Sequence, residues 1–116
     1  LHKLAVCCEG LGRTREALDA LDRARTAPGE YPPRPLCMQL CDVVEMRLRN
    51  PDYLRDPDYG AALMDVFNRC RRELPIGYAA FHLPRVLEWL TAGRQYKQAY
   101  ELLRDFPIKL PNLTIE

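Results

Sequence analysis

Proline and glycine cut this chain into short pieces, and nearly every piece between the cuts carries apolar residues spaced three and four apart. Leu1, Leu4, Ala5, Cys8 and Leu11 form the first such stripe, which stops at Gly10 and Gly12. From Thr14 a second follows, Ala17, Leu18, Leu21 and Ala24, with Arg15, Glu16, Asp19, Asp22 and Arg23 on the wet side. It closes at Ala27-Pro28-Gly29. Tyr31-Pro32-Pro33-Arg34-Pro35 then reads as an extended connector, because proline removes a donor and keeps the residue before it out of the helical region. A third helix is expected from Pro35 or Leu36, with Cys37, Leu40, Cys41, Val44 and Leu48 on one face and Val43 widening it, up to Asn50-Pro51.

The stretch NPDYLRDPDY, residues 50–59, repeats Pro-Asp-Tyr within ten positions, and the two copies do opposite work. Pro51 follows a last helical turn, where a stop belongs. Asp56 is placed to cap a new helix whose first position is Pro57, with φ already set and Asp58 near the positive end. Tyr59, Leu63, Val66, Phe67, Cys70 and Leu74 then mark a fourth helix. Leu74-Pro75-Ile76-Gly77 breaks the chain again. Ala79, Leu83, Val86, Leu87 and Leu90 make a fifth stripe, ended by Gly93, and Pro84 is expected in its first turn. Tyr96, Ala99, Leu103 and Phe106 make a sixth. The remaining FPIKLPNLTIE reads as an extended tail that docks on a neighbouring groove or a partner. No segment has the period of a strand, so the fold is all-α.

A chain of 116 residues with 47% apolar and 28% charged residues suits one globular domain. Its net charge of +1 gives no broad attraction for nucleic acid or acidic lipid, and no apolar run approaches the roughly 20 residues of a membrane span. The start at Leu1, without methionine or leader, suggests part of a longer protein. Five cysteines, Cys7, Cys8, Cys37, Cys41 and Cys70, cannot all pair and fall within helical patterns, which fits reduced thiols and an intracellular location, cytoplasmic or nuclear. On the same ground Asn112-Leu113-Thr114 reads as tail rather than as a glycosylation site.

Enzyme chemistry is hard to assemble here. There is no serine, and the only histidines, His2 and His82, stand on separate segments. Asp52, Asp56 and Asp58 lack the glycine and closing glutamate of a calcium loop. Cys37 and Cys41 lie one turn apart without a further ligand pair and read as small core residues. No metal, cofactor or catalytic site is assigned.

Six helices in three short-linked pairs, about 1–28, 35–74 and 77–106, suggest an antiparallel stack. Leu1, Leu4, Ala5 and Cys8, then Gly12, Ala17, Leu21, Ala24 and Pro28, keep a spacing that resembles the tetratricopeptide repeat. LGRTREALDALDRA, residues 11–24, carries it most specifically. GRQYKQAYELLRDFPIKLP, residues 93–111, looks similar but holds one extra residue between glycine and alanine. The resemblance implies a superhelical α-solenoid fragment and a scaffold that binds a peptide or partner helix in a groove lined by the first helix of each pair. Carried onto this chain, the groove positions are Val6 and Glu9 of the first pair and Arg85, Glu88 and Thr91 of the third, with Trp89 as an aromatic anchor alongside Tyr96 and Tyr100. At the positions where that family can clamp a terminal carboxylate stand His2 and Val6, so the clamp is absent. Residues 93–112 also resemble the pentatricopeptide repeat, which implies RNA binding as the alternative. Asn112 matches one polar base-reading position, but the paired position falls on Leu83 or Pro84, which cannot read a base edge. Arg69, Arg71 and Arg72, with Arg47 and Arg49, would then touch phosphates.

Overall fold

A computed structural model describes residues 2–27 and 34–106. Within them the chain is helical: α1 (His2–Gly10), α2 (Thr14–Thr26), α3 (Arg34–Arg49), a 3-10 turn (Tyr53–Arg55), α4 (Pro57–Glu73), α5 (Ile76–Ala92) and α6 (Tyr96–Asp105). Each helix packs on the next in sequence, and α1 also touches α3. Residues 31–33 of the expected connector, the tail from Pro107 and the polar role of Asn112 lie outside the described residues. Arg34 and Pro35, expected to be extended, already belong to α3, whose first turn tolerates a proline because its N–H groups have no helical partner.

The turns follow from local chemistry. Gly12 sits at φ +76°, where a Cβ would be strained. The N–H of Arg13 reaches back to the Cys8 carbonyl at 2.9 Å and that of Gly12 to Glu9 at 3.0 Å, the paired bonds that close a helix through a left-handed residue. The connection from α3 to α4 behaves as its prolines and aspartates require. The Asp56 carboxylate accepts from the Asp58 N–H at 2.9 Å, and Pro57 opens α4.

Two further expectations change. Pro84 is not in a first turn. Only Leu74 and Pro75 are extended, and α5 starts directly at Ile76, with the Tyr78 N–H on the Pro75 carbonyl at 3.0 Å. Gly77 lies in the first turn of α5. Pro84 therefore lies two turns into α5 and leaves the Ala80 carbonyl without its usual helical donor. Ala79 and His82 before it, and Val86 and Leu90 after it, are all buried, so packing holds both halves of the helix. The second change concerns α6. Its turn repeats that of Gly12, but the left-handed residue is Arg94 at φ +59°, not Gly93. The Gln95 N–H meets the Leu90 carbonyl at 2.8 Å and the Arg94 N–H meets Thr91 at 3.0 Å. Counted from Arg94, the step to Ala99 equals the step from Gly12 to Ala17, and the extra residue disappears.

Among the described residues the core forms two clusters that share α3. Ala5 of α1, Ala20, Leu21 and Ala24 of α2, and Cys41 and Val44 of α3 form one. Leu36, Leu40 and Val43 of α3 join Tyr59, Leu63, Val66, Phe67 and Cys70 of α4, Val86 and Leu90 of α5, and Ala99 of α6 in the other. Ala17 and Ala24 are buried, as the close approach of α1 and α2 requires. No helix among the described residues is long and apolar enough to cross a membrane.

Candidate functional site

Helices α1, α3 and α5 meet at one charged node. Near the end of α3, Arg47 is buried and donates from Nε to Glu9 Oε2 at 2.8 Å and from Nη2 to Oε1 at 3.0 Å. Its Nη1 donates to the Tyr59 hydroxyl at 3.3 Å. From α5, Arg85 approaches the same Glu9 carboxylate at 3.5 Å. It also donates to the Tyr53 hydroxyl at 3.2 Å and stands 3.4 Å from Glu88, which accepts the Tyr53 O–H at 3.2 Å. Burial by itself would depress the Arg47 guanidinium, but the Glu9 hydrogen bonds and Tyr59 offset that and hold it above its ordinary range. Burial raises the Tyr59 and Tyr53 phenols; Arg47 opposes this at Tyr59, while Glu88 adds to it at Tyr53. Two arginines thus face two carboxylates in balance. The node ties α1, α3, α4 and α5 together, and the arrangement is that of a clasp.

At the other end of α1, the Lys3 ammonium lies 5.6 Å from the Tyr78 ring centre and 5.6 Å from that of Phe81, within the range of cation–π attraction. Lys3 meets the start of α5 and Glu9 its middle, so long side chains bridge α1 to α5 at both places. Phe81 is nonetheless exposed.

The sequence-selected residues divide accordingly. Glu9, Arg85 and Glu88 come together in the node. Val6 is half-buried and packs against the α1–α2–α3 cluster. Thr91 is exposed and donates to the Leu87 carbonyl of its own helix at 2.8 Å. Trp89 points to α4, where its indole lies over Gly60. Of the arginines considered for phosphate, Arg47 is in the clasp, which corrects that expectation: a guanidinium buried on Glu9 is not offered to a ligand. Arg69 donates to Gln39 at 2.6 Å and pairs with Glu73 at 3.2 Å. Arg71 stacks on Phe67 and Phe106 at 5.5 and 5.8 Å, Arg49 faces Glu45 at 3.7 Å, and Arg72 is exposed.

Sequence reasoning missed Lys3, Tyr53, Tyr78 and Phe81, and gave Arg47 the wrong role. Arg47 did leave a signal, since it continues the three-four spacing of Leu40 and Val44 into the core. Cys41 is buried, and burial with the neighbouring Cys37 pushes its thiol up to about 11, whereas Cys7 is exposed. No group of three or more histidine, cysteine or acidic side chains among the described residues is placed to hold a metal. Compared with family models, curated proteins and solved structures, the chain matches none.

Proposed function

We propose that this chain is a protein-interaction module, a tetratricopeptide-like superhelical fragment that binds a peptide or partner helix along the seam where α1 and α5 meet. The observation that carries the reading is Lys3 over both Tyr78 and Phe81. It brings a cation and two aromatic rings from separate hairpins to one place while leaving Phe81 exposed. Aromatic side chains lose little entropy on docking and make effective anchors. The exposed part of Phe81 suits an apolar side chain, and Lys3 suits an acidic group beside it. Beyond the rings, Arg85 and Glu88 supply a polar rim already oriented by Tyr53. The reading requires no cofactor and no catalytic step, and it places the module inside the cell, where its thiols stay reduced.

The test is a peptide-display selection against the 116-residue chain. Enriched peptides should pair an apolar anchor with an acidic residue, and should lose most of their binding to Phe81→Ala and to Lys3→Glu, with modest dependence on salt. Binding to single-stranded RNA oligonucleotides that falls steeply with salt, vanishes when Arg69, Arg71 and Arg72 are neutralised and ignores Phe81 would replace this reading with RNA recognition.

A further inference from the structure

We infer that the open face of α6 takes the open face of α1 from a second copy of this chain, head to tail. The basis is the correspondence of the first and last hairpins. Superposed at their left-handed residues, Gly12 and Arg94, their turns match bond for bond. The match pairs Cys8 with Leu90 and Ala17 with Ala99, and all four are buried.

Two further pairs diverge in a telling way. Leu21 corresponds to Leu103. Leu21 is fully buried because α3 covers it, with Cys41 and Val44 in the same cluster. Leu103 is 39% exposed, and Tyr100 and Tyr96 on the same side of α6 are 63% and 62% exposed. Leu4 corresponds to Val86. Val86 is fully buried in the core that α5 shares with α4, whereas Leu4 is 46% exposed.

The face of α6 is therefore of the kind that, in α2 of the first hairpin, accepts the first helix of the next hairpin. The face of α1 is of the kind that, in α5, packs on the second helix of the preceding hairpin. In α3 and α5 those first-helix faces are already buried, so among the described residues α1 is the first helix that still offers one. A second copy supplies it, and the net charge of +1 raises little repulsion between copies. The contact is heterologous, so a dimer leaves one face of each kind open for further addition. Lys3, Tyr78 and Phe81 take no part, and the inference stands apart from the peptide-binding seam.

Sedimentation equilibrium tests this with wild type, Leu4→Glu, Tyr100→Glu and an equimolar mixture of the two variants. Both positions are exposed, and unchanged circular dichroism confirms that each variant folds. Wild-type mass should rise with concentration from 13.4 kDa through the dimer and beyond. Each variant alone should stay monomeric. Their mixture should form a dimer and stop there, because Leu4→Glu keeps an intact α6 and Tyr100→Glu an intact α1. A monomeric mixture, or either variant associating alone as the wild type does, would overturn the proposal. A monomeric wild type whose Tyr100 resists nitration would place part of the same chain on α6 and would equally end it. A monomeric wild type with reactive Tyr100 would show a face that no second copy covers.

Discussion

Truncating Glu9 to alanine should be among the most damaging single changes to this fold. It removes both carboxylate oxygens that receive the Arg47 guanidinium at 2.8 and 3.0 Å. The Arg47 side chain is only 4% exposed and that of Glu9 13%, so water cannot readily take the place of the lost partner. Arg85, 3.5 Å from the same carboxylate, would then face Arg47 as a like charge. The Tyr59 hydroxyl at 3.3 Å remains, but it is neutral. Breaking a buried pair in this way costs about 3–5 kcal/mol, a large part of the roughly 5–15 kcal/mol that holds a domain together. An exposed pair would be worth about 0–1 kcal/mol, and the difference lies in whether the surviving charge can reach solvent. Urea unfolding followed at 222 nm on wild type, Glu9→Ala, Arg47→Met and the combined Glu9→Leu/Arg47→Met variant measures this. The combined variant should recover most of the loss, because apolar side chains replace a buried ion pair without stranding a charge. A Glu9→Ala variant within about 1 kcal/mol of wild type, or a combined variant no better than Glu9→Ala, would refute the reasoning.

Four other outcomes follow. Gly60→Ala would set a Cβ only 2.2 Å from Trp89 Cζ2, so the indole must move. Overpacking of about 1–3 kcal/mol should exceed the roughly 1 kcal/mol gained in helix propensity, and a lower urea midpoint with altered tryptophan emission reads it. Arg94→Gly should stabilise by about 1 kcal/mol, seen as a higher melting temperature, because φ +59° strains any residue with a Cβ. Stability should fall as pH rises from 9 towards 11: folded Cys41 holds its proton up to about 11 against an ordinary 9.0, so above pH 9 only the unfolded chain ionises there, and urea midpoints across that range check the sign. A thiol reagent should modify exposed Cys7 at once and buried Cys41 and Cys70 only on unfolding, with half-buried Cys37 between them; mass spectrometry of the labelled peptides reads the order.

Helix existence was legible in the sequence because it depends on residues close together in the chain. Pro51 and Pro57 act through their own φ and missing donors, Asp56 through an N–H two residues on, and Gly12 through its own freedom at positive φ. The period-three-four stripes likewise located most of the core, and the spacing of Ala17 and Ala24 placed them between helices. Pro84 escaped because its tolerance within α5 is set by burial on either side of it, at Ala79, His82, Val86 and Leu90, which no local rule contains. Arg94 escaped because the turn was assigned to the nearer glycine, while the hydrogen bonds from Gln95 and Arg94 put the left-handed residue one position later.

The candidate site was only half visible, for a related reason. The family resemblance selected Glu9, Arg85 and Glu88 as groove positions, but it could not bring Arg47 under Glu9, 38 residues away in sequence, or set Lys3 over Tyr78 and Phe81. Nor could it divide α3, whose single apparent stripe serves two clusters, Cys41 and Val44 towards α2 and Leu40 and Val43 towards α4. By itself the sequence determined that the chain is helical, where most helices stop and which residues belong to the core, since those follow from backbone sterics and periodicity; the start of α5 and the turn before α6 did not. Only the tertiary structure decided which charges are clasped, which aromatic rings stay open and which apolar faces remain uncovered, since burial is a property of what lies opposite.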